Sequence, residues 1–159
     1  MRFETQRGRL RAGLDASDVD GSYADRCVDG VVPTRSDNLH DLLNALVWAR
    51  FPQAKRALSA RQVALARARA PSSSSSLRVR TREQDSCAMV DEGGMVLGTT
   101  TQAVFGHAAL EDAVLGRDLR PFLIHVDGDD LDAALAAVFR ADAPLPRVRE
   151  RQSVLADRR

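Results

Sequence analysis

Two histidines and the residues spaced around them carry most of the chemistry open to this sequence. On the wheel of a helix over residues 38–50, His40, Asp41, Asn44 and Trp48 fall side by side, opposite an apolar face of Leu39, Leu42, Leu43, Leu46 and Val47. A solvated helix face usually carries Lys, Glu, Arg or Gln. His, Asp, Asn and Trp instead orient, hydrogen-bond or coordinate something. Farther along, His107 and Glu111 stand four residues apart on the face that also holds Val104, Ala108, Val114 and Leu115, so the pair should point inward. A buried carboxylate is costly unless paired, so His107 and Glu111 should contact each other or a shared third group. Neutral imidazole and carboxylate bind divalent metals, and His titrates near neutral pH. His40, Asp41, His107 and Glu111 are therefore the candidate catalytic residues, as ligands or as acid–base groups.

Each of these features has a structural alternative. His40 can simply pair with Asp41 or cap its helix, Trp48 can cover a neighbouring element, and His107 with Glu111 can be a satisfied internal pair. The spacing fixes no third metal ligand, and the sequence has no HExxH, P-loop, GxSxG elbow, Cys-His zinc spacing, or GxGxxG after a strand. Metal and cofactor are thus left unassigned. The His40-Asp41 doublet matches the HD-type metal-dependent phosphohydrolases in two letters only.

Around this set stand candidates for substrate binding: Arg35, Asn38, Asn44, Trp48, Lys55 and Asp85. Lys55 is the single lysine among 23 basic residues, a flexible ammonium where every other cation is a guanidinium. It and Arg35 would hold an anionic group. Asp91 and Glu92 are assigned to turn chemistry and solvation. His125 and Asp127, at the end of a strand, either face a cleft or close a loop.

The elements that must position these residues follow from breakers and periodicity. Pro33 biases Val31–Arg35 toward extended chain. Ser36 or Asp37 then caps a helix from Asn38 to about Arg50, which Pro52 ends. A second helix from Gln53 to Ala70 has the stripe Ala54, Leu58 and Leu65, with Arg61 intruding. Cys87–Val90 and Met95–Leu97 flank Asp91-Glu92-Gly93-Gly94 and predict a β-hairpin. Thr101–Leu115 is helical in period and stops at Gly116. Phe122–Val126 is a strand, and Asp129 caps a last helix over Asp130–Arg140 with Leu131, Leu135 and Val138 inward. The expectation is an α+β domain: a small sheet, made of a hairpin plus one further strand, packed by about four helices. A cleft should lie between the 38–50 and 102–115 helices. A loosely ordered arm (1–30) precedes the globular part (31–143), a flexible Ser-rich loop (71–76) interrupts it, and a frayed tail (144–159) follows.

With 159 residues, 44% hydrophobic and 28% charged, one domain can bury a core without disulfide or metal staples. The net charge of +1 offers no global field for nucleic acid or an anionic membrane. Locally, Arg50, Lys55, Arg56, Arg61, Arg67, Arg69, Arg78, Arg80 and Arg82 follow one another with no acid between. Apart from Phe51, that stretch has no aromatics on which bases could stack, which favours a solvated surface over a nucleic-acid patch. Cys27 and Cys87 read as ordinary thiols. No apolar run reaches the length of a signal peptide core or a membrane span, so the expected compartment is the cytosol. Partners and oligomeric state are left open.

Tyr23, the run Gly30–Arg35, the run Asn38–Trp48 and Phe51–Lys55 resemble the central signature of the domain-of-unknown-function 3025 family. The resemblance continues through Arg82, Asp85, Asp91–Gly94, Val104–Ala108 and Glu111, over roughly residues 23–127. Ser59 and Gly93 stand where the family pattern has Asn, and the copy looks shortened. What the resemblance implies is a bacterial family without an assigned activity. Three functions stay open: a hydrolase-like enzyme, metal-assisted, in which His40 and His107 are ligands or general base; a non-catalytic module that meets a protein or RNA through Trp48 and the basic stretch; and a purely structural hydrogen-bond network.

Overall fold

The computed structural model describes residues 1–5, 23–68 and 81–145. Most of the expected N-terminal arm (6–22), the Ser-rich loop, Ala70, three of the arginines of the basic stretch (Arg69, Arg78, Arg80) and the tail beyond Leu145 lie outside the described residues.

Among the described residues the chain forms an α+β fold of six helices and two small sheets. The first sheet pairs β1 (Arg2–Thr5) in parallel with β2 (Val31–Thr34), and a short helix, α1 (Tyr23–Val28), precedes β2. Helix α2 (Leu39–Arg50) is capped by Asn38 rather than by Ser36 or Asp37, because the Asn38 Oδ1 accepts the Asp41 backbone N–H at 3.0 Å. Pro52 does more than end α2. It opens α3 (Pro52–Arg67) in the first turn, where a missing N–H is not felt.

The segment expected to form the first hairpin strand and its turn is helix α4 (Arg82–Gly93). Thr81 and Gln84 make a reciprocal capping box, with Gln84 N–H donating to Thr81 Oγ1 and Thr81 N–H to Gln84 Oε1. That start outweighs the turn character of Asp91–Gly94. The hairpin lies one element later, between β3 (Gly94–Leu97) and β4 (Gln102–Val104). Part of the expected third helix is therefore strand, and α5 spans only His107–Val114, with Gly116 just past its end at φ +67°. Strand β5 (Phe122–His125) lies parallel to β3 and completes a sheet of order β4-β3-β5. The last helix, α6 (Leu131–Arg140), is capped by Asp130. Asp129 instead accepts the backbone and hydroxyl donors of Thr100 and Thr101, tying the hairpin turn to the end of β5.

The core lies between α3, α6 and the three-stranded sheet, with Phe51, Phe105 and Phe139 in successive ring contact at 5.5 and 5.7 Å. Asp132 of α6 is buried and accepts the Gln53 and Ala54 backbone N–H groups, so α6 caps α3 from outside the local chain. Arg61, which intrudes on the α3 stripe, pairs with Glu83 of α4 and donates to the Phe139, Ala141 and Ala143 carbonyls at and just past the end of α6. No described helix is long and apolar enough to cross a membrane.

The faces of α2 are turned relative to expectation. Asn44 and Trp48 are buried with Leu43 and Val47, while Leu39, Leu42 and Leu46 are 41, 55 and 53% exposed. Tyr23 of α1 covers one side of the buried face, and α5 packs along the same helix. The polar strip is thus the inward one.

Candidate functional site

Three elements place the candidate site: the first turns of α2 and α5, and the last turn of α4. His40, in the first turn of α2, and His107, the first residue of α5, meet with ring centroids 4.4 Å apart at 79°. His40 Nδ1 lies 2.9 Å from Glu111 Oε2, one turn along α5 from His107. His107 Nε2 faces Glu92 Oε2 of α4 at 3.4 Å. One ligand atom from each of His40, Glu92 and His107 lies within 4.8 Å of the others, a grouping that could hold a metal ion. A carboxylate can only accept, so Glu111 favours the tautomer with hydrogen on His40 Nδ1 and leaves the Nε2 lone pair free.

The cluster has a closed floor and an open side. His107 is buried, His40 is about one-third exposed and the Glu92 side chain is 54% exposed. Burial, followed by the nearby Lys55 ammonium, lowers the His107 pKa below its ordinary value, which keeps the imidazole neutral with one ring nitrogen's lone pair available.

Of the expected catalytic residues, the structure brings together His40, His107 and Glu111. The contact expected between His107 and Glu111 runs through a shared third group, His40. Asp41 stands apart: its carboxylate accepts Arg35 N–H at 2.7 Å, Nε–H at 2.8 Å and an Nη2 hydrogen at 2.8 Å. These contacts hold the Asp41 carboxyl below the usual carboxylate range. Arg35, Asn38 and Asp41 together stitch the chain leading into α2 to its first turn.

The remaining candidates divide between the interior and the surface. Asn44 donates from Nδ2 to the Tyr23 hydroxyl at 2.6 Å. Its Oδ1, Trp48 Nε1 and His107 Nδ1 are buried without a hydrogen-bond partner. The Trp48 indole faces the Tyr23 hydroxyl closely enough to restrain its pKa, which burial raises. Lys55 is 2% exposed and donates to Asp91 Oδ1 at 2.6 Å, with its ammonium over the Trp48 and Phe105 rings. Asp85 is exposed in the first turn of α4, seven residues before Glu92 and so about 10 Å from it along the axis. His125 and Asp127 line a shallow depression of about 390 Å³ against Ala134, Ala137 and Val138.

Sequence reasoning missed Glu92 and Asp91, which it gave to a turn. The signal that could have found them is the Thr81-Arg82-Glu83-Gln84 capping box, which makes the following residues helical and sends Asp91 and Glu92 to different sides of the last turn.

The sequence profile of the family described as protein of unknown function (DUF3025) matches residues 13–113. No curated protein and no solved structure matches the chain. The matched range covers well over half of the chain and takes in His40, Glu92, His107 and Glu111, and on that extent the chain belongs to the DUF3025 family.

Proposed function

We propose that this protein is a hydrolase-like enzyme that works through a divalent metal held by His40, Glu92 and His107. The observation that carries this reading is the convergence of two imidazole nitrogens and one carboxylate oxygen, from three separate elements, to within 4.8 Å of one another. Two nitrogens and one oxygen form a donor set suited to Zn²⁺, and three protein ligands leave a fourth position for water. A divalent cation held by these residues would supply Lewis-acid chemistry and an activated water near neutral pH. The residues of this chain do the rest. Glu111 fixes the His40 ring and tautomer, burial keeps His107 neutral, and the exposed Glu92 side leaves room for substrate. The test is elemental analysis of protein purified without a histidine tag, as wild type and as His107→Ala. Stoichiometric metal that disappears in the variant supports the reading and justifies a screen of phosphoesters and amides. A wild type that neither carries metal nor takes up added zinc counts against it.

A second reading, a non-catalytic module for a macromolecular partner, has one observation in its favour: Leu39, Leu42 and Leu46 form an exposed apolar stripe along α2. That stripe suits a protein rather than RNA. Trp48 is buried, and Lys55, Arg61 and Arg67 of the basic stretch are committed to Asp91, Glu83 and Asp25. Leu42→Glu combined with Leu46→Glu should abolish binding to a protein partner and leave metal content untouched. Unchanged partner binding in that variant removes this reading.

A further inference from the structure

Glu92 is the ligand most open to solvent, and its position depends on where the backbone presents it. Its side chain is 54% exposed and meets His107 Nε2 at 3.4 Å. Two contacts fix that backbone. On the inner side, Asp91 is bonded at 2.6 Å to Lys55 Nζ, and the Lys55 side chain is 2% exposed. The ammonium lies 5.7 Å from the centroid of the Trp48 ring and 5.6 Å from that of Phe105. Consecutive helical side chains diverge by about 100°, so drawing Asp91 inward turns Glu92 toward α5. On the outer side, Gly106 packs against the same peptide: a Cβ there would lie 2.4 Å from the Glu92 carbonyl oxygen. The Phe105 and Gly106 N–H groups both donate to the Gly94 carbonyl, closing the clasp.

An ammonium–carboxylate pair with its lysine fully buried and its aspartate largely so is a poor device for stability. Desolvation of the two charges offsets their attraction, and apolar residues of similar size often serve as well or better. A geometric role accounts for what an energetic one does not. We propose that Lys55, through Asp91, is a positioning residue for the metal centre: it sets where Glu92 presents its carboxylate to the ion. This inference rests on the metal-centre reading above.

The experiment is a set of zinc dissociation constants, measured by competition with a chromophoric chelator on the full chain. The forms are wild type, Glu92→Gln, the pair replacement Lys55→Met with Asp91→Leu, and the pair replacement combined with Glu92→Gln. The pair replacement should melt close to the wild type yet bind zinc about tenfold more weakly. In the Glu92→Gln background it should weaken binding no further, since its effect passes through Glu92. Wild-type affinity in the pair replacement overturns the proposal, and so does equal weakening in both backgrounds, which is the mark of a general structural defect. If the pair replacement does not fold, Lys55→Arg serves in its place, because a planar guanidinium does not reproduce the ammonium's single-point hold. The same non-additivity with Glu92→Gln is expected of it, and wild-type affinity in Lys55→Arg overturns the proposal. A wild type that binds no zinc is a different failure: it removes the metal centre itself before any variant is measured.

Discussion

The His40 and His107 rings meet edge to face, with centroids 4.4 Å apart. Two imidazolium ions at that distance would repel by about 4 kcal/mol at an effective dielectric of about 20. The fold therefore keeps at least one ring neutral, and the buried His107, whose pKa is lowered, is that ring. Glu111 and Glu92 bring two carboxylates to the same rings. Two imidazoles, one of them held neutral by burial, with carboxylates on both sides form a cluster that could hold a divalent cation.

Stability of the metal-free protein should fall as pH drops through about 6.5. The folded His107 pKa lies below its ordinary value, so between that value and about 6.5 the unfolded chain binds a proton that the folded chain refuses. The contribution is present above this window and lost below it. Asp41 has the same sign but acts only near and below its own ordinary carboxylate range, so it does not contaminate the measurement. Urea midpoints between pH 7.5 and 5.5 should decline for the wild type and decline less for His107→Gln. Parallel declines would contradict the assignment.

Glu111→Gln should lower zinc affinity by about tenfold to a hundredfold while leaving the melting temperature near that of the wild type. The carboxylate that accepts from His40 Nδ1 compels one tautomer, whereas an amide can offer the ring either a donor or an acceptor. Chelator competition on Glu111→Gln and His40→Ala gives the comparison. His40→Ala should bind far more weakly than Glu111→Gln, because it removes a ligand rather than the group that orients one.

How far the site could be read from the sequence depended on which contacts leave a local trace. The period of residues 38–50 marks α2, and His40, His107 and Glu111 stand out as residue types that coordinate. The inward direction of α2 was not readable. Leu39, Leu42 and Leu46 outweigh Asn44 and Trp48 on a hydrophobic wheel, and only Tyr23 and α5, brought in by the fold, reverse the choice. Asp91–Gly94 has genuine turn chemistry, and it hid a helix whose evidence lay ten residues earlier in the Thr81–Gln84 capping box. With α4 taken for a strand, Glu92 had no reason to face His107. Nor do pairs 71 and 36 residues apart, His40 with Glu111 and Lys55 with Asp91, carry any periodic signature.

Asp132→Ala should destabilise the fold by about 1–3 kcal/mol without changing zinc affinity. Phe51 provides no side-chain cap for α3, and the buried Asp132 carboxylate takes the Gln53 and Ala54 N–H groups at 3.2 and 2.8 Å in its place. Removing it leaves both first-turn donors without that partner, the Ala54 N–H in a buried setting. Urea denaturation measures the loss. A change below about 0.5 kcal/mol, the range of ordinary surface substitutions, would mean that the contact between α6 and α3 rests on apolar packing alone.

Gly106→Ala should disturb the proposed metal centre through backbone crowding at the junction of α4 and α5. A Cβ at residue 106 would stand 2.4 Å from the Glu92 carbonyl oxygen and 2.5 Å from both the Glu92 carbonyl carbon and the Gly93 nitrogen. All three are backbone atoms, so no rotamer change relieves the overlap. The φ of residue 106 is −74°, which alanine adopts freely, so the penalty is purely one of space. Relief requires the start of α5 to move away from the end of α4, and that movement separates His107 from Glu92. Overpacking of this kind costs roughly 1–3 kcal/mol, and a ligand displaced by even about half an ångström is no longer pre-organised. The expected result is a protein that remains folded, with a lowered urea midpoint and zinc affinity reduced at least as much as in Glu111→Gln. Ala108→Gly, two residues along on the same helix, serves as the control: it removes a methyl group outside the close approach and should lower stability slightly while leaving zinc binding alone. If Gly106→Ala bound zinc like the wild type, the junction between α4 and α5 would not be what holds Glu92 against His107.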